Sequence, residues 1–159
     1  MHVGEPRRVA CYVDEHGQQL EESDHKAAQV QIASVGCGIR HTAAVSVEGK
    51  LFTFGHNMCG QLGHGDRTEC PIPRLVKIAS DLEAQGSPSA STKDDCAAVL
   101  EVLGVSCGGY HTIATVAVAN DPVRYQHYAW GYGEEGQLGL ADPPAHSVLV
   151  PQPLPEPIA

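Results

Sequence analysis

One nine-residue pattern constrains this chain more than any other feature, because it occurs twice. Gly55-His56-Asn57-Met58-Cys59-Gly60-Gln61-Leu62-Gly63 returns 76 positions on as Gly131-Tyr132-Gly133-Glu134-Glu135-Gly136-Gln137-Leu138-Gly139. Both copies read Gly, four variable residues, then Gly-Gln-Leu-Gly. Each follows an apolar run with aromatics, Leu51-Phe52-Thr53-Phe54 and Tyr128-Ala129-Trp130. A second landmark recurs upstream at an offset of 70: Cys37-Gly38-Ile39-Arg40-His41-Thr42 and Cys107-Gly108-Gly109-Tyr110-His111-Thr112. Two landmarks in the same order define a repeat, and a repeat decides the fold class before local propensities do.

The remainder of the chain agrees with β structure. With 17 Gly, 11 Pro and only 5% aromatic residues, a core must be built from small and β-branched side chains. Short apolar runs punctuated by Gly favour strands over helices. His41–Val47 alternates Ala43, Val45 and Val47 against Thr42, Ala44 and Ser46. After Glu48-Gly49, Lys50–Gly55 returns, which makes a hairpin. Small residues on both faces suit a sheet packed between two neighbours. His111–Val118 and the strand ending at Gly131 repeat that hairpin around a longer turn at residues 119–122. No long helix is expected; residues 79–100 are the one place for a short one. Cys70–Ile78, Val150–Ile158 and residues 5–10 are Pro-led strands, and the first residue of a strand tolerates Pro. Residues 11–28 read as turn and loop.

These residues resemble the repeat of the regulator of chromosome condensation family, with the match at residues 29–78 and 101–158. The resemblance implies an all-β fold, a partial β-propeller. It would have two four-stranded antiparallel blades plus a strand of a third, against about seven blades in the full family fold. The expected organisation is a tail of a preceding repeat plus an acidic polar loop (1–28), a first full repeat (29–78), a polar acidic insertion (79–100) and a second full repeat (101–159). A blade cannot bury its faces alone, so further blades are expected in the same or another chain. The chain is therefore expected to be a fragment of a larger propeller.

The residues shared by the copies are read as structural: Cys37, Gly38, His41, Gly55, Gly60, Gln61, Leu62, Gly63 and their counterparts Cys107, Gly108, His111, Gly131, Gly136, Gln137, Leu138, Gly139. Cys37 with His41 and Cys107 with His111 have the residue types of a thiolate–imidazole dyad. A catalytic pair is needed once, however, so recurrence favours a small buried thiol beside a hydrogen-bonding His. His56, Cys59, His64 and Cys70 are zinc-capable types, yet the second copy places Tyr132, Glu135 and Leu140 at the first three of these positions. Ligands that vanish between copies are loop residues. Asp66 and Asp142 are expected to cap turns. The Gly-rich turns lack the Lys-Ser/Thr of a phosphate loop. No catalytic residue, cofactor or metal is assigned. Arg40 and Tyr110, at the variable position of the bend, are the candidate partner contacts.

A net charge of −9 argues against direct binding of nucleic acid or an anionic membrane. The acid lies unevenly, with residues 1–29 and 79–100 both acidic, polar linkers. Six cysteines without a Cys-x-x-Cys pair, and no apolar signal core, fit a reduced intracellular protein of cytoplasm or nucleus. The expected function is a non-enzymatic protein–protein interaction scaffold. What the resemblance also implies is guanine-nucleotide exchange on a small GTPase, or the propeller portion of a large ubiquitin ligase.

Overall fold

The computed structural model describes residues 11–13, 19–21, 30–78, 101–118, 121–140 and 146–155. Ten strands occur among them: β1 (Cys11–Val13), β2 (Gln19–Glu21), β3 (Ile32–Cys37), β4 (His41–Ser46), β5 (Leu51–Gly55), β6 (Cys70–Leu75), β7 (Val102–Cys107), β8 (His111–Val118), β9 (Asp121–Gly131) and β10 (Val148–Pro153). No helix occurs among the described residues. The Pro-led strand expected at residues 5–10 and the helix position at 79–100 lie outside them.

β3 to β6 form an antiparallel meander in sequence order, and β7 to β10 repeat it. The registers correspond pair for pair. His41 lies opposite Gly55 as His111 lies opposite Gly131, and Gly55 opposite Cys70 as Gly131 opposite Val148. These are the two blades.

Two details depart from the sequence expectation. Residues 11–28 were expected to form turn and loop, yet β1 and β2 pair as a hairpin. β1 then joins the outer edge of the first blade, parallel to β6 at Val13–Arg74, so that sheet has six strands. An outer strand offers unpaired backbone groups to any neighbouring segment, whatever that segment's own propensity. The second departure is at residues 119–122, expected to be the centre of a long turn. β8 instead runs to Val118 and β9 begins at Asp121, with a register irregularity between Ala117 and Val118. The extra length goes into an 11-residue strand, and Pro122 is tolerated because it sits at the strand's start.

The blades stack face to face around one core. Ala43, Val45, Leu51 and Val76 of the first pack with Val102, Ala114, Val116, Tyr128 and Trp130 of the second. β4 is buried on both faces, Ala43 and Val45 on one and Ala44 and Ser46 on the other, as its small side chains require. β3 and β7 run close together: a Cβ on Gly36 would lie 3.2 Å from the Cys107 Sγ. Backbone bonds cross the joint from Val102 N to Gly49 O (2.9 Å), Gly65 N to Leu149 O (3.0 Å) and Ile39 N to Gly109 O (3.3 Å).

Candidate functional site

The first copy of the repeated turn is the seat of the joint. Gly60 N donates to Asn57 O and Gly63 N to Gly60 O, which folds two tight turns in succession. The turn is pinned from inside by Asn57, whose Oδ1 accepts from Leu62 N (2.9 Å) and whose Nδ2 donates to Asp66 O (2.9 Å). Gln61 Oε1 accepts from Cys59 N (2.9 Å), as Gln137 Oε1 accepts from Glu135 N. Leu62 and Leu138 are both fully buried and anchor the two turns.

With the turn so folded, the Gln61 carbonyl points at the second blade and takes two donors from it. Thr112 Oγ1 and Trp130 Nε1 each donate at 2.9 Å. Because the Thr112 hydroxyl proton is spent on Gln61, its oxygen accepts from His41 Nε2, also at 2.9 Å. His41 is therefore held as the Nε2–H tautomer, with Nδ1 buried and unpartnered. Burial first, and then the neighbouring His111 and His56, lower its pKa to about 4. Its ring lies where a Cβ on Gly38 would be, and His111 stands in the same relation to Gly108. The Cys-Gly-x-x-His spacing is thus a packing rule: the second residue needs no side chain because the fifth occupies its place.

A second relay of the same kind lies inside the first blade. His64 Nε2 is 3.0 Å from Thr53 Oγ1, which donates to Leu62 O at 2.7 Å. Burial, and after it the Arg74 charge, lower the His64 pKa to about 4. In the second copy both side chains of this relay are replaced together, by Ala129 and Leu140.

The zinc-capable residues are engaged separately. His64 is turned to Thr53. His56 Nδ1 lies 3.1 Å from Gln61 Nε2, and Cys70 Sγ donates to Ile72 O. No cluster of three or more metal-capable side chains occurs among the described residues. Cys37 was expected to be a buried thiol but is exposed; Cys107, on the matching edge strand β7, is half-buried because Gly36 of β3 packs against it. Burial raises the Cys107 pKa and lowers that of His111, the opposite of what a thiolate–imidazolium pair needs. Asp66 caps its turn, its Oδ1 accepting from Thr68 N at 2.8 Å; Asp142 lies outside the described residues.

Arg40 and Tyr110 are both exposed, at the tips of the bends that precede β4 and β8. Each bend is tied to the start of its blade's repeated turn, by His56 N to Arg40 O and Tyr132 N to Tyr110 O, both 2.8 Å. The result is one end face carrying Ile39, Arg40, Met58, Tyr110, Glu134 and Glu135. Glu134 and, behind it, burial and Glu135 hold the Tyr132 phenol above its ordinary pKa.

Three participants in the joint escaped sequence reasoning: Thr112 after the second His, Trp130 as a donor, and the main-chain oxygen of Gln61. The first had a visible signal, since Thr42 and Thr112 recur with the rest of the landmark.

The regulator of chromosome condensation (RCC1) repeat matches residues 48–115 and 126–158, and a second form of that repeat matches 32–61. The 48–115 match begins in the turn before β5 and ends inside β8. One unit of sequence repeat therefore contributes to two blades and carries the joint between them. The human probable E3 ubiquitin-protein ligase HERC3 is 37% identical over 109 residues, covering 69% of this chain and 8% of the ligase. The ultraviolet-B receptor UVR8 of Arabidopsis thaliana is 30% identical over 146 residues, covering 70% of this chain and 32% of the receptor. The chain thus spans less than a third of the length of these relatives. Among solved structures, Prp20p of Saccharomyces cerevisiae, described with its binding to Gsp1p and histones, superposes with a TM-score of 0.57 at 21% identity. That likeness covers 80% of this chain and 26% of Prp20p. The two stacked blades are part of a β-propeller, and the chain belongs to the regulator of chromosome condensation (RCC1) repeat family.

Proposed function

We propose that this chain is a protein–protein interaction scaffold that grips its partner at the end face built from the 38–40 and 108–110 bends and the variable residues of the two repeated turns. One observation carries this. Most of the residues the copies share are used up in turn geometry and the joint, whereas exposed positions of the bend and turn differ between the copies: Arg40 and Tyr110, Met58 and Glu134. Side chains free of architectural duty, held on rigid neighbouring loops, are what a recognition surface needs. Arg and Tyr are also the types that dominate binding energy when covered by a partner. Prp20p, which shares the fold, is described as binding proteins, Gsp1p and histones.

The test is photo-crosslinking from position 110 to capture the partner, followed by titration of that partner against Arg40→Ala/Tyr110→Ala. The double variant is expected to lose at least about 2 kcal/mol of binding, the scale of a small hot spot, with an unchanged circular dichroism spectrum. Undiminished affinity sets this face aside. Acceleration of nucleotide release from any member of a small-GTPase panel by this chain would replace scaffolding with exchange activity.

A second reading, the propeller portion of a large ubiquitin ligase, is favoured by HERC3 and human HERC2 among the relatives. It predicts a ligase domain with a catalytic cysteine in the same open reading frame.

A further inference from the structure

We draw no further inference here: the strongest candidate, the surface patch of exposed Ile39, Met58 and Tyr110 side chains on the end face, belongs to the site already described, and nothing in the structure shows what covers it.

Discussion

At the residue scale the chain turns on one main-chain oxygen. The Gln61 carbonyl is buried, and only the second blade's Thr112 and Trp130 donate across the joint to it. A buried acceptor or donor left unpaired costs about 1–3 kcal/mol, more than a typical net hydrogen bond contributes. Thr112→Val strands the His41 Nε2–H and leaves Gln61 with one donor, so a loss of about 2–3 kcal/mol is expected. Trp130→Phe removes only the second donor and a part of the ring, for about 1–2 kcal/mol. Thr115 faces His127 in an exposed pair, and Thr115→Val is expected to stay within about 0.5 kcal/mol. Urea midpoints of the three variants check this order; a Thr115→Val loss matching that of Thr112→Val contradicts it.

At the scale of elements, two strand–turn units each bury a His at a Thr relay, and both are neutral when folded. Unfolded, these imidazoles titrate near 6.5; folded, near 4. Between those values the unfolded chain binds more protons, so stability falls as pH drops from about 6.5 and levels off below about 4. Each shift corresponds to up to about 3 kcal/mol, somewhat less at His64, which keeps some contact with solvent. Urea unfolding at pH 7 and pH 4.5 is expected to show a marked loss at the lower value, and His64→Asn to reduce it. A flat profile over that window contradicts the buried relays.

The same elements show what the sequence made legible. Because a repeat samples one environment twice, residues common to both copies marked the turns, the bends and Leu62 and Leu138 as architecture, and the strands β3 to β6 and β7 to β10 followed. What stayed hidden depends on tertiary geometry. The acceptor at the joint is backbone and has no residue signature. The β1–β2 hairpin exists because β6 offers an open edge, which nothing local to residues 11–21 announces. Cys37 and Cys107 sit on matching edge strands, and only Cys107 has the other blade, at Gly36, packed against it.

At the scale of the molecule, the two blades share one core and one joint, and the copies of the motif differ in what covers them. That difference is measurable at two glycines of like conformation, Gly63 (φ 75°) and Gly139 (φ 66°). A Cβ on Gly63 would lie 2.7 Å from the Trp130 Nε1, whereas at Gly139 the nearest group is Leu154 at 4.0 Å. The left-handed backbone costs Ala about 1–2 kcal/mol at either site, and only Gly63 adds a clash with a fully buried ring, typically about 1–3 kcal/mol more. The direct test is the urea-unfolding free energy of Gly63→Ala and Gly139→Ala. A loss for Gly63→Ala exceeding that for Gly139→Ala by at least about 1 kcal/mol is the predicted result; equal losses would contradict the joint itself.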